Sequence, residues 1–160
     1  MTKILWFSNY RFSDYPDKGT GTWIGSMGRM LLRVGKGKFE ICNITTNESV
    51  STVTYEEQCG IKQWLLPKWK LTKDGLPSRV HIDEIVGIVN KIAPNLVHVW
   101  GCESYYGLLI SRKFVKCKNL LDMQGICHVI ARFYTGFMSV FEEFASEPDN
   151  KRLYPTITLR

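Results

Sequence analysis

The stretch that decides the fold is Lys3-Ile4-Leu5-Trp6-Phe7-Ser8-Asn9, a short, mostly apolar run closed by two polar residues. A run of this length between polar residues is typical of a β-strand that is buried on both faces of a sheet. Leu96–Trp100 and Leu120–Met123 have the same character and end before Gly101 and Gln124. The sequence therefore predicts three strands, of which the first two are buried.

Helices are predicted between these strands. Apolar residues recur at helical spacing over residues 22–34, which predicts an amphipathic helix that ends at Gly35-Lys36-Gly37; they are Trp23, Met27, Met30, Leu31 and Val34. Ser78 is expected to cap a second helix, which Pro94 ends. Its apolar stripe consists of Ile82, Ile85, Val86, Val89 and Ile92. A third helix is indicated by Tyr105, Leu108, Leu109 and Val115.

The alternation of strands and helices defines the expected fold class. A strand is expected around Phe39–Ile44, Val50–Tyr55 and Ile61–Leu66 could each be a strand, and the tail from Ile126 is expected to be mostly helical. Such a pattern predicts an α/β protein with a Rossmann-like open parallel β-sheet and helices on both faces, in which residues 1–160 form a single domain. Ligands of such sheets bind beyond the carboxyl ends of the strands.

The composition places the chain among ordinary globular proteins. Of its 160 residues, 44% are hydrophobic and 22% are charged. No apolar window is long enough to cross a membrane, and the first residues do not have the form of a signal peptide, so a cytoplasmic chain is expected. Five cysteines without a C-x-x-C pair are expected to be reduced and mostly buried. The net charge of +6 favours an anionic partner, which could be a phosphate ligand, a lipid surface or nucleic acid.

A glycine-bearing loop precedes the first helix. Gly19, Thr20, Gly21 and Thr22 lie between strand one and that helix. Glycines allow a ligand to approach the backbone closely, and the free N–H groups of a helix start attract phosphate. The spacing matches neither a dinucleotide fingerprint nor a P-loop. A flexible loop before an ordinary helix is the alternative, and the sequence leaves both open.

Polar residues at the other strand ends are candidate site residues. Asn9 follows strand one, and Glu103 follows Gly101, where a carboxylate could accept sugar hydroxyls, act as a base or only cap a helix. Gln124 and Gly125 follow the last strand, and a glutamine suits sugar hydroxyls.

The three histidines predict no metal site. His98 lies inside an apolar strand, where a hydrogen-bonded core role is favoured over a ligand role. His128 could exchange a proton near neutral pH, so Glu103 and His128 are the candidate catalytic residues. No histidine has a cysteine or another histidine at metal spacing.

Residues 62–73 mix basic and aromatic side chains: Lys62, Trp64, Lys68, Trp69, Lys70 and Lys73. This combination suits an anionic membrane interface, and it would also suit single-stranded nucleic acid. A strand followed by a solvated loop, with both indoles folded onto the domain, is the favoured alternative.

Four segments in order carry a family resemblance. Lys3–Asn9 resembles K-I-L-x-x-S-N, Gly19–Trp23 resembles G-G-W, Pro94–Glu103 resembles P-D-I-I-H-x-x-G-x-E, and Leu121–Gly125 resembles S-I-Q-G. Together they resemble the amino-terminal domain of glycosyltransferase family 4, which is one half of a GT-B fold. The similarity extends from residue 3 to about residue 136.

The resemblance implies a retaining glycosyltransferase of cell-envelope saccharides. Its amino-terminal domain binds a saccharide or lipid-linked saccharide acceptor, and a carboxyl-terminal domain, expected to be absent from this chain, binds the nucleotide-sugar donor. It implies no metal or other cofactor and no nucleic acid partner, and it suggests a cytoplasmic protein that could be peripheral to the membrane. Gln124 stands where many relatives have a histidine, and a glutamine cannot transfer a proton. The alternative is a non-catalytic, flavodoxin-like module that binds a phosphorylated ligand or a protein partner.

Overall fold

A computed structural model describes residues 1–13, 22–102 and 104–123, which belong to one compact unit, Met1–Gln124. Six strands form one sheet: β1 (Thr2–Ser8), β2 (Phe39–Thr46), β3 (Thr54–Gln58), β4 (Ile61–Leu66), β5 (Leu96–Trp100) and β6 (Asn119–Asp122). Three helices accompany them in the described residues: α1 (Thr22–Gly35), α2 (Arg79–Ile92) and α3 (Tyr106–Ser111). The expected tail helix from Ile126 lies outside the described residues.

The sheet has the strand order β3-β4-β2-β1-β5-β6. Four of its five strand pairings are parallel, and the pairing of β3 with β4 is antiparallel. This topology confirms the predicted α/β, Rossmann-like class. β1 is central because its residues are apolar on both faces, with Leu5 and Phe7 on one side and Trp6 on the other. The chain crosses from β1 through α1 to β2, and it reaches the opposite neighbour, β5, through α2.

The helices cover both faces, as predicted. On one face α2 and α3 pack against Leu5, Phe7 and their neighbours, and Tyr106 of α3 stacks on Phe7 with ring centroids 4.9 Å apart. On the other face, Ile24, Leu31 and Leu32 of α1 pack with Trp6, Phe12 and Ile61. Two apolar layers therefore enclose the sheet.

One strand prediction needs correction in its bounds and in its direction. The possible strand Val50–Tyr55 begins only at Thr54, and it runs antiparallel to β4 because a two-residue turn at Cys59-Gly60 reverses the chain. Both turn residues have positive φ, 54° and 73°, which is the backbone form that suits tight hairpins.

Two helix predictions also need correction. α2 begins after Ser78 as expected, but the Ser78 hydroxyl makes no cap bond and lies 3.1 Å from Nδ1 of His81. α3 ends at Ser111, before Val115, because Lys113 takes the left-handed conformation (φ 61°) that a helix cannot continue through.

The face of α1 that packs on the sheet is not the one with most of its large apolar residues. Four of the five apolar residues that indicated the helix, Trp23, Met27, Met30 and Val34, are exposed. The buried side combines Ile24 and Leu31 with glycines, and a Cβ placed on Gly28 would lie 2.8 Å from the Phe12 ring. Apolar contacts and close packing at glycine together attach α1 to the sheet.

The cysteines are less buried than expected. Cys42 is buried, Cys59 and Cys117 are half-buried, and Cys102 is exposed. None of these four is bonded to another described cysteine. Burial raises the pKa of the Cys42 thiol to about 11, so this thiol stays protonated at neutral pH.

Candidate functional site

The carboxyl ends of β1 and β5 lie next to each other at the point where the strand order reverses. Phe7 pairs with Val99, the last pair of the β1–β5 register, and Asn9 and Gly101 are the first residues after these two adjacent strands. Asn9 is exposed, and Gly101 has φ 84°, a conformation that favours glycine. Open α/β sheets bind ligands at such a switch point. The edge between Asn9 and Gly101 is therefore the candidate site.

A row of buried polar side chains lies on the α1 face of the sheet, starting at the carboxyl end of β1. Asn43 and Gln63 occupy paired positions on β2 and β4, and Gln63 in turn pairs with Glu56 on β3. Asn43 and Gln63 are fully buried, as is Ser8 at the end of β1. The Ser8 hydroxyl lies 2.8 Å from Oδ1 of Asn43. Four neighbouring strands thus contribute one polar row on the α1 face.

The polar row holds the chain as it leaves β1. The Gln63 side chain donates to the carbonyl of Phe12 at 2.7 Å and accepts from its N–H at 3.0 Å. Asn43 donates to the carbonyl of Tyr10 at 2.8 Å. Arg11 makes a two-pronged ion pair with Glu56, at 2.8 and 2.7 Å. Residues 10–12 are therefore fixed on the sheet, and they position the start of the loop that carries the predicted glycine segment.

An aromatic cluster lies on the same face at the end of β5. The Trp100 ring packs on His98 at 3.8 Å and meets Trp6 edge-on at 5.2 Å between centroids. Trp23, at the start of α1, meets Trp100 edge-on at 5.0 Å and remains 42% exposed. This arrangement gives the edge an aromatic wall with one accessible ring.

Three buried polar atoms of this region have no hydrogen-bond partner among the described residues: Thr45 Oγ1, His98 Nε2 and Trp100 Nε1. All three belong to the α1 face, because Thr45 pairs with Ser8 and His98 pairs with Trp6. A buried polar group without a partner costs roughly 1–3 kcal/mol, so a cluster of them is unusual in a folded domain. All three atoms are buried, so they are not accessible to a ligand in this structure.

His98 differs from its sequence prediction in one respect. It is half-buried between aromatic rings, but its Nε2 atom is not hydrogen-bonded within the described part of the chain. Burial lowers the pKa of His98, and the nearby Asp122 carboxylate opposes this only in part. The ring is therefore neutral at pH 7.

Several predicted site residues cannot be placed. Glu103, Gln124, Gly125 and His128, together with Gly19, Thr20 and Gly21, lie outside the described residues. Thr22 is the first residue of α1. Of the predicted site, the structure places Asn9 and Gly101 directly after the adjacent strands β1 and β5. The structure adds four polar residues whose only indication in the sequence was that they lie inside strand-like runs: Ser8, Asn43, Gln63 and Glu56.

The basic segment 62–73 is largely tied to the domain. Lys62 forms an ion pair with Glu40 at 2.8 Å, and this bond lowers the pKa of the Glu40 carboxyl. Lys68 pairs with Glu48 at 2.6 Å. Trp64 packs against the core and contacts the Tyr55 ring, and Trp69 stacks flat on His81 at 4.2 Å. Lys70 and Lys73 are exposed and make no ion pair with another described residue.

The cavity at the opposite edge of the sheet does not compete with this site. It lies at the amino ends of β5 and β6, between Pro94 and Cys117, and has a volume of about 190 Å³. Small-molecule pockets have typical volumes of roughly 300–1,000 Å³, so this one is too small to be the main ligand site.

The strand order defines a Rossmann-like α/β protein. Its switch point lies between β1 and β5, and a ligand site is expected beyond the carboxyl ends of these two strands. A scan against protein-family models gives no match, and comparisons with curated proteins and with solved structures give no significant match. Within residues 1–13, 22–102 and 104–123, no three His, Cys, Asp or Glu side chains are grouped to hold a metal ion. No helix in those ranges is long and apolar enough to cross a membrane.

Proposed function

We propose that this chain is the acceptor-binding half of a retaining glycosyltransferase of the GT-B type. In this proposal a second domain binds the nucleotide sugar, and the edge beyond β1 and β5 binds a saccharide or lipid-linked saccharide. The proposal rests on the resemblance of the strand-end segments to family 4, together with the geometry of the edge. It places the protein in the cytoplasm, where nucleotide sugars are available.

The observation that carries the proposal is the exposed ring of Trp23, which meets Trp100 edge-on at the carboxyl end of β5. A saccharide presents apolar C–H faces, which pack on such a ring. It also presents hydroxyl groups, which an exposed polar side chain such as Asn9 can bind. A saccharide therefore suits both kinds of side chain.

The residues at the edge have distinct roles in this proposal. Asn9 is exposed directly after β1 and supplies an amide that can bind two hydroxyls. Gly101, directly after β5, has a left-handed backbone that disfavours any side chain. Glu103 and His128 remain the candidate catalytic residues.

A binding experiment with matched variants tests the proposal. Saccharides of the cell-envelope type are titrated into the full chain, and the affinity is compared for Asn9→Ala and Asn90→Ala. Asn90 is also exposed but lies on α2, next to the cavity at the opposite edge. We expect Asn9→Ala to weaken binding about tenfold, the value of one good hydrogen bond to a polar ligand, and Asn90→Ala to leave it unchanged.

Two outcomes would contradict the proposal. One is that no saccharide binds while a phosphorylated small molecule does, which would favour the non-catalytic, flavodoxin-like module. The other is that Asn9→Ala and Asn90→Ala bind equally well. The chain alone is expected to transfer no sugar, because donor binding is assigned to a second domain.

A further inference from the structure

The outer face of α1 carries an apolar stripe. Trp23, Met27, Met30 and Val34 are 42%, 38%, 58% and 65% exposed, respectively. Their spacing of four, three and four residues places all of them on one side of the helix. Four of the eleven large apolar side chains that are exposed in the described residues lie on this one helix.

This stripe is not needed to attach the helix. α1 already packs on the sheet through Ile24, Leu31 and the glycine at position 28. Isolated apolar residues are common on protein surfaces, but a continuous exposed stripe marks an interaction site. The outer face of α1 is therefore a second apolar surface with a purpose other than the core.

The charges around the stripe have one sign. The sequence of α1 contains no acidic residue, and Arg33 is exposed on the flank of the stripe. Lys36 and Lys38 are exposed directly after the helix. A second copy of the chain would bring this positive rim against itself, and most protein surfaces present both signs. A uniformly anionic surface is the complementary partner.

We propose that α1 docks the protein on an anionic lipid surface, with Met27, Met30 and Val34 in the interface and the basic rim among the headgroups, whereas Trp23 at the start of the helix belongs to the saccharide edge. A helix with an apolar face and a basic rim lies in the plane of such an interface. This proposal does not depend on sugar transfer. It concerns a different surface from residues 62–73, because Lys62 and Trp64 project from the face that packs α2.

Cosedimentation of the full chain with vesicles tests the proposal. One set of vesicles contains equal parts of phosphatidylcholine and phosphatidylglycerol, and the other contains phosphatidylcholine alone. The stripe variant is Met30→Gln with Val34→Gln, and the rim variant is Arg33→Gln with Lys38→Gln. The matched control is Leu71→Gln with Val80→Gln, which are 45% and 74% exposed outside α1. Circular dichroism establishes that each variant is folded.

We expect binding to the anionic vesicles only, and less binding as salt rises. The rim variant should weaken vesicle binding about tenfold or more, since each basic residue near such a surface contributes about fivefold in affinity. The stripe variant should weaken vesicle binding about tenfold or more as well, because it replaces the apolar residues of the interface. The control should bind like the wild type. Lys70→Gln with Lys73→Gln should have no comparable effect, which separates this surface from residues 62–73.

Several results would overturn the proposal. They are equal binding to both vesicles, binding that survives the stripe variant, or binding that is lost only with Lys70 and Lys73. A dimer in analytical ultracentrifugation that the stripe variant dissociates would assign the stripe to a second copy of the chain instead.

Discussion

Replacing Gln63 by methionine is expected to destabilise the domain strongly, because this side chain holds the start of the loop after β1. Gln63 is fully buried and bonds both the N–H and the carbonyl of Phe12. Methionine has a similar length and shape, so the substitution removes hydrogen bonds without opening a large cavity. Asn43 keeps its bonds to Ser8 and Tyr10, so the cost falls mainly on Phe12.

The magnitude follows from the two groups left unpaired. Each buried polar group without a partner costs roughly 1–3 kcal/mol, so the unfolding free energy should fall by about 3 kcal/mol. With a urea m-value of about 1–3 kcal/mol/M, the midpoint should move down by roughly 1–3 M at an unchanged slope. Urea unfolding measures this shift, and hydrogen exchange should show that the Phe12 amide loses its protection.

Gln58→Met is the matched control for this prediction. Gln58 is half-buried at the end of β3, and its side chain makes no hydrogen bond to another residue in the described ranges. Its substitution should change the unfolding free energy by less than about 0.5 kcal/mol. Equal effects of Gln63→Met and Gln58→Met, or a Phe12 amide that stays protected in the Gln63 variant, would refute the role assigned to the polar row.

Two further predictions concern α1 and His98. Gly28→Ala should lower the free energy of unfolding by about 1–2 kcal/mol in urea, because the added Cβ would lie 2.8 Å from the buried Phe12 ring. The control, Gly87→Ala, has no atom within 4 Å of its added Cβ and should raise the free energy of unfolding by about 0.5–1 kcal/mol. Equal effects of the two substitutions would contradict the close packing of α1. Burial lowers the pKa of His98, so the unfolded chain takes up a proton first as pH falls through about 6.5, and stability should fall with it. Thermal melts between about pH 7.5 and 5 should show a smaller loss for His98→Phe, and parallel curves for the two proteins would contradict the buried, neutral ring.

The strands were predictable from sequence because each is a short apolar run. β1 and β5 were located within a residue or two, since burial on both faces leaves a mostly apolar stretch between polar residues. β4 was located as well, although Lys62 and Gln63 interrupt its apolar residues. The edge strand β3 was misplaced because Thr54–Gln58 is polar and half-exposed, and its pairing depends on the turn at Cys59-Gly60.

The orientation of α1 was not predictable from apolar periodicity. The helix has two apolar sides, and the stronger pattern of large residues belongs to the exposed one. The buried side includes Gly28 and Gly35, which carry no hydrophobic signal, although their closeness to the rings of Phe12 and Phe39 sets the packing distance. Periodicity measures side-chain character, so it cannot report a contact that the backbone makes.

Asn9 and Gly101 were predictable candidates because each directly follows an apolar strand, and these two strands, β1 and β5, are parallel neighbours in the sheet. The polar row was missed because Asn43 and Gln63 are separated by 20 residues and become neighbours only when β2 pairs with β4. Their polarity inside strands was visible, but the partner of each amide depended on a strand order that the sequence left open.

The central claim, that the edge beyond β1 and β5 binds a saccharide, is tested most directly by an NMR titration of the isotope-labelled chain with cell-envelope saccharides. The account predicts that the amide signals of Asn9 and Gly101 and the indole signals of Trp23 and Trp100 shift together with one dissociation constant. Shifts confined to the cavity at Pro94 and Cys117, or no shift with any saccharide, would contradict the claim.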